Sequence, residues 1–446
     1  MTLTFLFIAF TAIVALAGCG GGTTAGTGDS AEATSGTTAS AGQQSAAPST
    51  TSTEPVTLKI FNSVKSDDAS WQALIVDPIR KKFPQVTVER INVAKGSDYP
   101  DFVASGSVPD IFFTSFNSMP VIQDLKLLAP LDDLVKKYNV PIDKLEQTSL
   151  KSIRYISNNG ELNALPIYLN VRLMTYNKDI FDKYGVAYPK DGLTWDDAVA
   201  LAKKLTRSES GVQYTGLYPG SWSTLSDELG AQPIDPKTLK AQLDSPAFKR
   251  LADLYQQVYD IPGAKYYSPA QANDAFGKDK NLAMLPNWLN GLINQKSGYG
   301  SEMKWDITSQ PVFDKNGKNS RVDFHMMMIS PTTKYKDLAF QIIAYLTTSP
   351  EAQELVARAS RLPALSDSAV RKHFADNDKS FQAKHLDPVF DYNPAPSPIP
   401  TIYDAEANKA LNPAMDKIGN KQTDVNTALR EAQEAATKGI ATLQSK

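Results

Sequence analysis

Residues 56–93 read VTLKIFNSVKSDDASWQALIVDPIRKKFPQVTVERINV. Val56, Leu58 and Ile60 alternate with Thr57 and Lys59, the period of a half-buried strand. From Asp67 to Phe83 the period changes, and Trp71, Leu74, Ile75, Ile79 and Phe83 fall on one helical stripe. The adjacent Asp67 and Asp68 fit as charges at that helix's start. A second strand is expected over Val86–Val93 and a third over Asp110–Phe113. Strand, helix, strand in this order argues for an α/β lobe around a buried sheet.

Working outward toward the C-terminus, a second series starts after the strand-like Val171–Tyr176. TWDDAVALAKKLT is an amphipathic helix that Thr194 can cap, with Asp197 at the reciprocal position. Trp195, in its first turn, is expected in the core, and Trp71 more often core than ligand wall. Later strands are expected over Asn281–Leu285 and Phe324–Ile329, and Ser349-Pro350-Glu351 opens a capped helix. A further helix is expected over Thr423–Leu443. The chain's 446 residues suit two lobes.

Toward the N-terminus, residues 3–18 (LTFLFIAFTAIVALAG) are almost wholly apolar and end at Cys19, the one cysteine. That run is short for a membrane span, which needs about 20 residues, and fits the apolar region of a secretion signal. Met1-Thr2-Leu3-Thr4 lacks the positive charge such signals normally carry. From Gly20 to Pro55, 29 of 36 residues are Gly, Ala, Ser or Thr. Such a stretch cannot offset its ordering entropy and is expected to be a tether with a reach of roughly 30–36 Å.

Composition excludes several functions. The 46 Lys plus Arg and 48 Asp plus Glu are scattered, so nothing points to nucleic acid. A single cysteine leaves no intrachain disulfide, and His325, His373 and His385 are too dispersed for a structural zinc site. No G-x-S-x-G, HExxH, phosphate loop or dinucleotide fingerprint is present. Adjacent pairs such as Asp132–Asp133 point apart on a helix and make no acid/base pair. Asp314–Lys318 fits a hairpin turn better than a calcium loop. No catalytic group, cofactor or metal is therefore expected.

Aromatic residues beside amides and small residues stand out. Tyr168 and Asn170 lie in ALPIYLNVRLMTYN, Trp222 in YPGSWST, and Trp288 with Asn287 and Asn290 in LPNWLNG. An indole or phenol covers the C–H face of a sugar while Asn and Ser bond its hydroxyls. Trp222 and Trp288, at breaks in periodicity, are expected on a cleft wall.

The segments GSVPDIFFTS, LAPLDDLVKKY, NGELNALPIY, MTYNKDIFDKYG, TWDDAVALAKKLT, LAMLPNW, LAFQIIAYLTTSPEAQ and GNKQTDVNTALREAQ run in one order over about 56–446. In that order they resemble the family 1 extracellular solute-binding proteins, the sugar receptors of ABC importers. Leu16-Ala17-Gly18-Cys19 resembles a lipoprotein lipobox. The resemblance implies a two-lobed periplasmic-binding-protein-like α/β fold (type II), with the ligand cleft between lobes joined by several crossings. It implies 1–18 as signal peptide, 19–55 as lipid-anchored linker, 56–167 with 322–361 as lobe 1, and 168–321 with 362–446 as lobe 2. The ligand residues it implies are Phe61, Asn62, Ser63, Thr114, Ser115, Phe116, Tyr168, Asn170, Trp222, Asn287, Trp288 and Arg361. The family's usual glycine pair before the late strand is absent here, where the chain reads DFHMMMISP, so the resemblance carries over the fold but not the local cleft geometry around His325.

The function so implied is a monomeric receptor on the extracytoplasmic face of the cell membrane, held by lipid on Cys19. It binds a mono- or oligosaccharide and delivers it to the importer's permease subunits. A receptor for a non-sugar solute, or a surface co-receptor or scaffold that feeds no transporter, is the alternative the residues leave open.

Overall fold

The alternation at the start of the body becomes a strand in which Leu58, Ile60 and Phe61 are fully buried. The computed structural model describes residues 54–446 apart from 65, 158, 301, 316, 319, 320, 393, 396, 397 and 446. Cys19, segment 1–18 and the tether up to residue 53 lie outside the described residues.

In chain order the strands are β1 (Val56–Asn62), β2 (Val86–Asn92), β3 (Ile111–Ser115), β4 (Leu165–Asn170), β5 (Arg172–Asn177), β6 (Arg207–Glu209), β7 (Val212–Tyr214), β8 (Met284–Trp288), β9 (Trp305–Ser309), β10 (Asp323–Ile329) and β11 (Leu362–Pro363). Six form one sheet in the order β11-β4-β10-β3-β1-β2. Within it β1 is parallel to β2 and β3, and β10 is antiparallel to β3 and β4. A second sheet, β8-β5-β9, is antiparallel, and β6 with β7 makes a small hairpin. The two larger sheets centre the two lobes of a periplasmic-binding-protein-like fold.

Only Val171 separates β4 from β5, so the chain steps there from the large sheet into the small one. It returns between β9 and β10 and leaves again after β11. Two expected boundaries move. Residues 168–170 and 362–363 belong to the large sheet, because Tyr168 pairs with His325 and Pro363, and Leu362 with Leu169. The ladder runs on until Asn170, and the crossing comes where it ends.

The Asp67–Phe83 stripe is helical with a wide turn in the middle. Asp77 N–H bonds Gln72 O, five residues back, in a π-turn over Gln72–Val76. Pro78, which has no N–H to give, sits in the first turn of the next α-helical segment, Asp77–Lys82, where that N–H is not needed. Asp67 caps the first segment by accepting from Ser70 N–H, as its position suggested. Thr194 and Asp197 form a capping box on the helix Trp195–Leu205, which buries Trp195. On the large sheet, the buried Gln353 donates to Ile167 O and Leu346 O and accepts from Leu365 N–H, fastening its helix across the sheet. Helices Pro246–Tyr259, Asp404–Gly419 and Val425–Gln444 pack together on the small-sheet lobe.

The hairpin expected at Asp314–Lys318 is corrected. Gly317 N–H returns to Asp314 O as a turn, but the strands on either side, β9 and β10, belong to different sheets. The segment is therefore part of a crossing.

Candidate functional site

The apolar strands of the large sheet end on polar residues at one edge. Asn62, Asn92, Ser115 and Asn170 close β1 to β4, and Asp323 opens the antiparallel β10 at the same end. Because β2 and β3 flank β1 on opposite sides, their connections diverge there, leaving a crevice of the kind α/β sheets use for ligands.

A polar bridge spans this edge. Asn290, on the small-lobe helix Leu289–Gln295, donates its backbone N–H to Asn170 Oδ1 at 3.0 Å. Its side-chain oxygen accepts from Arg361 Nη1, and its Nδ2 lies 3.5 Å from His325 Nδ1. Tyr168 packs edge-on to His325 at 4.8 Å, with the Arg361 guanidinium 5.7 Å from its ring. Burial pushes the Tyr168 hydroxyl up to about 12 and His325 down to about 4, so both are neutral near pH 7.

Two recesses open at this edge, with no lining residue in common. The open one, about 790 Å³, is lined by Asn62, Ser63, Asp67, Arg90, Asn92 and Arg361, with Ile293 and Asn294 from the small-lobe helix. The narrow one, about 530 Å³, is lined by Trp222, Trp288, Arg172, Arg321, Asp227 and Asn117, with residues 398–402 along one side.

Charge in the narrow recess is organised around Arg321, on the second crossing. Its Nε donates to Asp227 Oδ2 at 2.9 Å, Nη1 to Asp323 Oδ1 at 3.2 Å and Nη2 to Asn117 Oδ1 at 3.1 Å. Asn117 follows β3 of the large lobe and Asp227 lies on the small-lobe helix Trp222–Glu228, so this one guanidinium ties the lobes. Burial pushes the Asp227 carboxyl up, and Arg321 and Arg172 pull it back. Arg172 opens β5, pairs across the ladder with Trp288, and lays its guanidinium 4.0 Å from that ring's centre. Behind the wall, Glu228 accepts from Trp195 Nε1 at 3.1 Å and Phe313 N at 2.5 Å, and burial pushes its carboxyl up to about 8.

The structure divides the residues expected at the site. Asn62, Ser63 and Arg361 line the open recess, and Trp222 and Trp288 the narrow one. Tyr168 and Asn170 belong to the bridge. Phe61 is corrected: its ring is enclosed edge-on by Tyr99 and Phe102 at 5.1 and 4.9 Å, in the core. Phe116 is corrected likewise, packed on Phe324 at 4.9 Å. Thr114 is fully buried, bonded to Ser63 Oγ at 2.8 Å and Tyr99 OH at 2.7 Å, and supports Ser63 from below. Ser115 and Asn287 line neither recess; Asn287 instead bonds Gln295 Oε1 at 2.8 Å. Trp222 is not in a loop but in a helical first turn, 5% exposed, its indole N–H donated to Asn412 Oδ1 at 2.7 Å.

Sequence reasoning missed Arg172, Asn117, Asp227 and Arg321. One signal was present for Arg172, the single charge in the run 164–176, ALPIYLNVRLMTY. A charge inside an apolar double strand is held there by something other than packing. Among the described residues no group of three or more His, Cys, Asp or Glu could hold a metal ion, and no helix is long and apolar enough to cross a membrane.

Comparison with known proteins gives a consistent picture. A sequence model of the bacterial extracellular solute-binding proteins matches residues 62–354. A binding protein of Brucella abortus is 22% identical over 236 residues, 49% of this chain and 54% of that protein. The match thus spans about half the length of that curated relative. The ABC substrate-binding protein Lmo0181 of Listeria monocytogenes, solved with cycloalternan, superposes with a TM-score of 0.69 at 19% identity, covering 87% of this chain and 100% of that one. The sugar-binding protein MalE of Xanthomonas citri does so with a TM-score of 0.70 at 16% identity, covering 87% and 98%. At these identities the two likenesses concern the fold.

Proposed function

The chain belongs to the bacterial extracellular solute-binding protein family, and on that premise we propose that it captures a saccharide between its lobes and delivers it to the permease of an ABC importer. The observation that carries this reading is the make-up of the narrow recess, where two indoles stand beside Arg172, Asp227 and Asn117. Aromatic walls take the C–H faces of a sugar, and charged and amide groups take its hydroxyls. Sugar binding by the Xanthomonas citri protein of the same fold supports the same ligand chemistry. A ligand held by Trp222 and Asn117 would touch both lobes and favour the closed arrangement by its greater affinity for it. No bond of the ligand needs to break.

The apolar segment 3–18 ending at Cys19 supports a lipid anchor on that cysteine, which would hold a monomer at the extracytoplasmic face of the cell membrane. Cys19→Ala should abolish lipid labelling, and a labelled, membrane-held variant would refute the anchor. The test of function is a thermal-shift screen against mono- and oligosaccharides. A sugar at 100 times its Kd stabilises the folded state by about 2.7 kcal/mol. A melting temperature unmoved by every sugar, with a shift from a peptide or polyamine, would overturn the reading.

A further inference from the structure

Arg172 has an unusual situation. It is 8% exposed, its Nε has no hydrogen-bond partner, and no carboxylate lies within ion-pair distance of it among the described residues. Its neighbour Arg321, by contrast, has donors engaged by Asp227, Asp323 and Asn117. A guanidinium carries five N–H donors, and burying them unpaired is costly. Arg172 lines the narrow recess, so acceptors that enter this space can complete it. Only one oxygen of Asp227, Oδ2, is engaged by Arg321, which leaves an acceptor on the same wall.

Trp288 fixes where Arg172 points. The two residues are cross-strand partners, and the guanidinium lies 4.0 Å from the centre of the indole. The face of Trp288 that Arg172 covers is not free for a ligand. Trp288 is thus a positioning residue for Arg172 on that side.

The recess needs no further negative charge before any ligand arrives: on its wall Arg172 and Arg321 stand against Asp227 and Asp404, and Asp323 pairs with Arg321 as well. A carboxylate or phosphate on the ligand would add a negative charge beside Asp227. Hydroxyls would not, because one can accept from Arg172 while another donates to Asp227. We infer that Arg172 and Asp227 are the specificity-determining pair of the narrow recess and select an uncharged saccharide over an acidic or phosphorylated one. The inference rests on the saccharide reading and adds to it the class of sugar and the residues that read it.

The experiment is calorimetric titration of the full chain and of Arg172→Met, Arg172→Lys and Asp227→Asn. The probes are mannotriose, maltose and mannitol, with galacturonate and glucose 6-phosphate as the charged set. Neutral probes are expected to bind at least tenfold more tightly than charged ones. Arg172→Met should weaken neutral binding by tenfold or more, and Arg172→Lys by nearly as much, since an ammonium lacks the planar set of donors. Melting curves separate this from a structural role. Replacing a buried guanidinium that has no carboxylate partner within ion-pair distance by an apolar side chain should change the melting temperature little, whereas loss of a structural arginine would lower it clearly. Tighter binding of galacturonate or the phosphate, or neutral binding unchanged in Arg172→Met, would overturn the inference and leave the saccharide reading standing. Failure of every probe to bind a cooperatively melting protein would overturn both.

Discussion

The two recesses lie along one sheet edge and differ in what they bury. The narrow recess has two indoles and a set of desolvated charges. The open one has no aromatic ring on its wall, and many of its polar groups are engaged locally: Asn62 accepts from Val64 N–H, Asp67 from Ser70 N–H, and Arg90 pairs with Asp68 and Ser66, although its Nε, like that of Arg172, has no partner. A wall whose guanidinium already has a carboxylate partner, as Arg90 has in Asp68, has less to gain from a ligand than one that holds Arg172 without such a partner. On the proposed reading the two recesses would differ in function through this pairing rather than through volume.

The largest test of that contrast uses the two indoles. Trp222 is 5% exposed, packs on Phe248 and hydrogen-bonds Asn412, so Trp222→Ala should cost roughly 3–5 kcal/mol of stability as well as affinity. Trp288 is half-buried at a strand end, and Trp288→Ala should weaken sugar binding with a clearly smaller fall in melting temperature. In the Arg172→Met background, Trp288→Ala should cost less than it does in the parent, because its partner is already gone, and the loss that remains reports the indole face left free for the ligand. Fully additive losses would show that Trp288 acts on the ligand alone and does not position Arg172.

These residues also mark how far the sequence could be read. The alternation before Asn62, the cap at Thr194 and the helix near the C-terminus, Val425–Gln444, are local patterns, and local patterns survive folding. Whether a ring beside a strand end faces core or cleft is decided by what lies across the sheet. Phe61 and Phe116 turned inward because Phe102 and Phe324 wait there. The charged set was less legible still. Arg321 meets Asn117 across 204 positions and Asp227 across 94, and no spacing rule announces such a meeting. Arg172 alone broke a local pattern, and it proved to be in the recess.

The polar bridge gives a smaller effect. Asn290→Ala removes the acceptor of Arg361 and leaves a buried guanidinium without it. A loss of about 1–3 kcal/mol in unfolding free energy is expected from denaturant titration. Unchanged stability would mean that Arg361 finds water in place of the lost acceptor.

The recesses should also carry opposite pH signatures. Behind the narrow wall, Glu228 is raised to about 8 by burial, so between its unfolded value near 4.5 and 8 the folded state holds a proton that the unfolded state has lost. Stability therefore falls as pH rises through that window, and Glu228→Gln should flatten the slope. At the open recess, Asp67 is lowered, chiefly by the Ser70 N–H. Its contribution is present above the unfolded value near 3.8 and is lost as pH falls through the folded one. Melting curves of the parent, Glu228→Gln and Asp67→Asn from pH 3 to 9 would separate the two, and a slope above pH 5 that survives Glu228→Gln would remove Glu228 as its source.

The smallest expected effect is at Asn92, on the open wall. Its side chain is exposed at the end of β2, and its Oδ1 accepts only a long 3.5 Å contact from Asn62 Nδ2. Asn92→Ala takes away no buried group and no ring, so stability should stay within about 0.5 kcal/mol of the parent. If the ligand is held by the narrow recess, affinity for a short sugar should change by less than about threefold, because a solvated amide exchanges one hydrogen bond for another with water. A longer sugar that reaches past the bridge would behave differently, losing affinity in Asn92→Ala while a monosaccharide does not. Calorimetry of parent and variant with a mono-, di- and trisaccharide of one series reads this directly. A loss of tenfold or more with the monosaccharide itself would place the primary ring in the open recess and reverse the contrast between the two walls.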